Sequence, residues 1–174
     1  KYIKPMILAL GMLYMLFIIP DYILIKNNTV FTAILVNRMV FMAMVIILYC
    51  RISHIREFKR LAYVLSVYEL IVILLFLYIY YNYEAPNYLI QAFGIMVIII
   101  AVFLVPNKFI NMVMITSFAG AGFILVAAFK GETVKPSEYY AGVVYIFIVI
   151  ALCTISAYSN SYYKRMNYIK NKEL

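Results

Sequence analysis

Apolar residues run along this chain in six long blocks separated by short polar breaks. The first block, from about Met6 to Ile25, reads MILALGMLYMLFIIPDYILI, and Pro20 near its far end is expected to bend the helix or mark where regular helix stops. A polar IKNNT turn separates it from the second block, about Val30 to Cys50. The basic stretch RISHIREFKR precedes the third, about Leu61 to Tyr80, and YNYEAPN leads to the fourth, about Tyr88 to Val105. Pro106 and Asn107 form a tight turn into the fifth, about Phe109 to Phe129. The loop KGETVKPSE then leads to the sixth, about Tyr139 to Tyr158.

Each block has roughly the 20 residues that a helix needs to cross a hydrocarbon core of about 30 Å. The expected fold is therefore all-α: a polytopic membrane bundle of six transmembrane helices over residues 1–158, with residues 159–174 beginning a cytoplasmic helix or stalk. Composition supports this, since 67% of the residues are hydrophobic and the mean hydropathy is +0.97, against roughly 45–50% apolar in an ordinary soluble domain. Such a chain has too much apolar surface to hide in one water-soluble core. There is no internal repeat.

The formal charge of +8 does not point to nucleic acid, because the basic residues lie between apolar runs and report topology instead. With the N-terminus inside, the inner set is Lys1, Lys4, Arg51, Arg56, Lys59, Arg60, Lys108, Lys164, Arg165, Lys170 and Lys172. The outer set is Lys26, Lys130 and Lys135. By the positive-inside rule both termini are expected on the cytoplasmic side. Tyr80, Tyr81, Tyr83, Tyr88, Tyr139 and Tyr140 gather at the outer ends of spans and are expected to form the interfacial aromatic belt, in a chain with no Trp.

The chain begins with Lys1 and ends at Leu174 within a charged, helix-favouring stretch, as expected of a piece of a longer polypeptide. The first apolar run is too long for a cleavable signal peptide and has no small-residue cleavage site.

Ionisable side chains at membrane depth cost roughly 2.5–3.5 kcal/mol on insertion scales and are usually paired or set beside water. Arg38 and Glu69 qualify, at depths that differ by only about 6 Å along their helices. Two readings stay open. One is an Arg38 anchor in an outward-facing cavity for an anionic or carbonyl-bearing ligand, with Asp21, Asn37 and Gln91 as polar neighbours. The other is a structural ion pair, Arg38 with Glu69 or Arg38 with Asp21, that locks helices together. In the fifth block, Ser117 and Ala121 stand four apart beside Gly120 and Gly122, a small-residue pattern that permits close helix packing, either inside the bundle or at a dimer interface.

His54 lies in a basic loop without a carboxylate or cysteine partner, and Cys50 and Cys153 have no metal or disulfide spacing. The methionines are scattered through the spans as core filler. No catalytic motif, metal site or cofactor site is evident, so no enzyme activity is expected of these residues.

After the sixth block, SNSYYKRMNYIKNKEL has no Pro or Gly, and Tyr162, Met166 and Ile169 recur at spacings of four and three. This fits a transmembrane helix that continues as a signalling stalk; the competing reading is a basic tail held by anionic lipid. The basic loop after the second block, the Val105-Pro106-Asn107-Lys108 turn, and the run Asn160-Ser161-Tyr162-Tyr163-Lys164-Arg165 through Tyr168-Ile169 to Lys172-Glu173-Leu174 resemble the six-helix membrane sensor domains of bacterial diguanylate cyclases and related membrane nucleotide cyclases. The resemblance implies a sensor domain that passes a ligand or membrane signal through the last helix to a cytoplasmic output domain, most naturally a diguanylate cyclase. It also implies a small-molecule or lipid ligand and a homodimer. A histidine-kinase input domain lies in the same class. From another class, a small transporter or the substrate-binding membrane subunit of an uptake system also fits a six-helix chain of this size.

Overall fold

The computed structural model describes residues 3–55, 57–83, 88–130 and 135–173, with side chains described as far as Tyr163. All regular structure among the described residues is helical: α1 (Ile3–Leu16), α2 (Ile18–Leu24), α3 (Asn28–Arg51), a 3-10 turn (Ile52–His54), α4 (Phe58–Asn82), α5 (Tyr88–Leu104), α6 (Phe109–Phe129) and α7 (Pro136–Glu173).

Local chemistry explains the boundaries. Pro20 has no N–H to give to the preceding turn, and its ring crowds the carbonyl four residues back. The helix accordingly breaks at Phe17, dividing the first span into α1 and α2, which together run Ile3–Leu24. Asn27 starts α3 by accepting the Thr29 N–H on its Oδ1 at 2.9 Å, which satisfies a donor that the first helical turn leaves open. The proline at 106 closes the path for α5 to continue, and α6 begins after Lys108.

Among the described residues, five segments are long and apolar enough to cross a membrane: Ile3–Leu24, Asn28–His54, Phe58–Asn82, Phe109–Phe129 and Pro136–Tyr163. The sixth, α5, has 17 residues and a length of about 25 Å, at the short end of what spans a bilayer. The chain is thus a multi-pass helical bundle of membrane type.

Packing follows a chain of neighbours. α1 and α2 lie on α3, α3 meets α4, and α4, α5 and α6 pack mutually, with α7 against α5 and α6. α5 is the most enclosed helix, burying Tyr88, Gln91, Ala92, Gly94, Ile95, Ile98, Ile99 and Val102. α7 is the least enclosed, with 11% of its apolar window buried and Val144, Ile148, Leu152 and Ile155 exposed along one side.

The aromatic residues expected as an interfacial belt divide into two groups. Tyr81 and Tyr140 point outward, whereas Tyr80, Tyr83 and Tyr88 are buried. Tyr80 stacks on Phe123 at a centroid distance of 4.5 Å, and the Tyr88 hydroxyl donates to the Tyr139 carbonyl at 3.3 Å. These rings turn inward because each finds an aromatic or carbonyl partner there.

The small residues of α6 divide between two faces, with Gly120 inward as expected. Ser117 and Ala121 are exposed, while Thr116, Ala119 and Gly120 form the packed face. A Cβ on Gly120 would lie 3.0 Å from Ile150 Cδ1 and 3.2 Å from Ile146 Cγ2, so α7 closes onto α6 at this glycine.

Candidate functional site

Among the described residues, polar side chains gather in two separate clusters inside the bundle, and an apolar cleft lies between helices. The first cluster forms where α1 breaks. Asp21 and Arg38 are each 3% exposed, and Arg38 Nε donates to Asp21 Oδ2 at 2.6 Å. Arg38 Nη1 donates to the Tyr14 carbonyl at 2.9 Å, an acceptor beside the helix break, where Phe17 N–H reaches the same oxygen at a long 3.4 Å. The Tyr83 hydroxyl donates to the other Asp21 oxygen at 2.8 Å. The guanidinium also lies over the Tyr14 ring, 4.7 Å from its centroid. Burial and the adjacent Asp21 carboxylate push the Tyr83 phenol above its ordinary range.

Of the two pairings open to Arg38, the structure forms the one with Asp21; Glu69 belongs to the second cluster. Its Oε2 accepts from Asn107 Nδ2 at 2.9 Å. Asn107 also donates to Ser66 Oγ at 3.0 Å, and Asn111 donates to the same oxygen at 2.9 Å. The reason is helical phase: Ser66 and Glu69 are one turn apart on α4 and face the α5–α6 turn, while Arg38 faces the proline-broken helix on the other side of α3.

Asn37 and Gln91 are buried but join neither cluster. Asn37 Nδ2 donates to the Leu75 carbonyl at 3.3 Å, and its Oδ1 has no partner among the described residues. An open groove beside it is lined by Asn28, Thr29, Thr32, Val36, Leu75 and Tyr78. Arg38 is absent from that lining, so the five residues considered together as one ligand site are distributed over several places.

Ser66, Asn107 and Asn111 carry polar roles that the apolar pattern did not single out. Their spacings, i to i+3 from Ser66 to Glu69 and i to i+4 from Asn107 to Asn111, were the available signal. Tyr83 was hidden among the other interfacial tyrosines.

At the Tyr83 end of α4, Lys130 Nζ donates to the Tyr80 carbonyl at 2.6 Å and to the Tyr83 carbonyl. The cation thus meets the carbonyl end of α4, where the helix dipole is negative. Burial pulls the Lys130 ammonium down to about 8.

The cleft has walls from α1 and the break after it (Ile7, Leu10, Leu13, Tyr14, Phe17) and from α5 and the residue after it (Val97, Ile98, Ala101, Val102, Val105), and a floor from α3 and α4 (Phe41, Val45, Leu48, Leu65, Tyr68, Glu69, Val72). Its volume is about 110 Å³. Tyr14 and Phe17 separate it from the Arg38 cluster, since both rings lie beneath the guanidinium and line the cleft.

On α7, Tyr162 is exposed. The backbone of α7 continues through Met166 and Ile169 to Glu173, but those two side chains lie outside the described ones. No known protein family, curated protein or solved structure matches this chain.

Proposed function

We propose that this chain is the membrane-embedded input domain of a signalling protein, in which a ligand or bilayer signal shifts helix packing and α7 carries the shift to a cytoplasmic output domain. The observation that supports the reading is α7 itself. It runs 38 residues without a break, about 57 Å of helix, which exceeds a hydrocarbon core of about 30 Å by several turns. A helix that serves only to cross the bilayer has no use for that length, whereas a stalk does.

The packing offers a route. α5 lines the cleft on one side and holds α7 on the other. A ligand shifts such an equilibrium only by its difference in affinity for the two packings. The outward apolar side of α7, with Val144, Ile148, Leu152 and Ile155, is assigned to pairing with a second copy, so that two stalks enter the cytoplasm together. The output class that best suits the basic, tyrosine-rich exit sequence is a diguanylate cyclase.

The test is a chimera of residues 1–174 with a cyclase catalytic domain, read as cyclic dinucleotide produced. Insertions after Tyr163 change the rotational phase of the stalk: a few residues should lock output high or low, and seven should restore the parent level. Output indifferent to both would remove the signalling reading and bring the small transporter or uptake subunit forward, to be examined by uptake assays.

A further inference from the structure

We infer that the cleft between α1 and α5 is a binding site for an uncharged lipid-soluble alcohol, with Glu69 and Tyr14 as its polar anchors. The inference does not depend on the signalling reading. A binding site of this kind would serve a sensor or a transporter equally.

Two observations carry it. First, the cleft is almost wholly apolar and runs from Ile7 to Phe17 along α1, about 15 Å. A water needs only about 10–15 Å³ of such space, so 110 Å³ is room for several waters, yet an apolar lining does not retain them. The fitting occupant is an apolar chain. Second, two polar atoms in this lining have no partner among the described residues: Glu69 Oε1 and the Tyr14 hydroxyl. Glu69 is 8% exposed and Tyr14 is 6% exposed, so solvent does not satisfy them. Unsatisfied buried polar atoms are costly and uncommon in native interiors.

Asn107 occupies Oε2, which leaves Oε1 as the unpartnered oxygen of a residue that lines the cleft. A ligand hydroxyl can both donate and accept, so it is able to meet a carboxyl oxygen or a phenol. An ammonium head is the poorer fit, because a cation buried in an apolar cleft against one carboxylate loses its hydration and gains few compensating hydrogen bonds. A plain alkyl chain would fill the volume and leave both polar atoms unpaired.

The test uses the whole chain in phospholipid nanodiscs with a dodecanol analogue that carries a photoreactive diazirine, competed with dodecanol, dodecane or dodecylamine. Crosslinks are expected on the peptides containing Leu13 and Val97 to Ala101, and dodecanol should compete roughly tenfold better than dodecane, the value of one well-placed hydrogen bond. Glu69→Gln keeps a carbonyl acceptor and should retain labelling; Glu69→Leu should need roughly tenfold more label. Ala101→Phe fills the cleft without touching either anchor and should abolish the crosslinks, while size-exclusion elution shows that the fold is kept. Equal competition by dodecane would mean the site holds any acyl chain, and stronger competition by dodecylamine would mean it holds a cation. Either result, or crosslinks confined to other helices, overturns the assignment.

Discussion

Arg38 sits at membrane depth because partners meet it there: the Asp21 carboxylate, the Tyr14 carbonyl and the Tyr14 and Phe17 rings. Removing one charge strands the other, which for a buried pair costs about 3–5 kcal/mol, whereas removing both costs much less. Asp21→Asn and Arg38→Met should each lower the unfolding transition of the purified protein sharply, and the double variant should recover a large part of the loss. Single variants that melt like the parent would mean that water reaches the pair. Lys130 gives a second residue-level expectation. Its ammonium, pulled down to about 8 from an ordinary 10.5, gives up its proton in the folded chain before it would in the unfolded one. Between those two values the unfolded state binds more protons, so this residue favours the folded state increasingly as pH rises. Acylation of Lys130, followed by peptide mass, should rise through a midpoint near pH 8, and a midpoint near 10.5 would mean the amine is solvated.

At the scale of elements, the helices were legible in the apolar blocks, and Pro20 announced a break, which lies at Phe17. Which face of each helix turns inward was not legible. A helix that is apolar on every side has no polar stripe to mark its outside, so Ser117 and Ala121 looked as suitable for packing as Thr116 and Gly120. Charges were legible as costly residues but not as partners: Arg38 had two carboxylates within reach, and only the position of Asp21 beside the broken helix decided between them. The packed face of α6 makes a clean comparison. Gly120→Leu drives a side chain into Ile146 and Ile150 and should cost about 1–3 kcal/mol or more. Ala121→Leu adds the same bulk on the exposed face and should change stability by about 0.5 kcal/mol or less. Comparable losses from both would place α6 in contact with something on its outer side, such as a second copy.

For the whole molecule, the two ends of the bundle differ in chemistry. At one end lie Lys26, Lys130 and Lys135, with Lys130 turned inward onto the α4 carbonyls. At the other lie Lys4, Arg51, Lys59, Arg60 and Lys108. Positive charge near span ends resists translocation, so the second end is expected in the cytoplasm, and with it the long extension of α7. Every helix alternates direction in such a bundle, so a single probe at each end tests the whole topology. In a background with Cys50→Ser and Cys153→Ser, cysteines placed at Lys26 and Lys135 should react with an impermeant maleimide on intact cells. Cysteines at His54 and Asn160 should react only after permeabilisation. The reverse pattern would put the α7 extension on the outer face, where no cytoplasmic output could receive it, and would remove the signalling proposal while leaving the alcohol-binding cleft untouched.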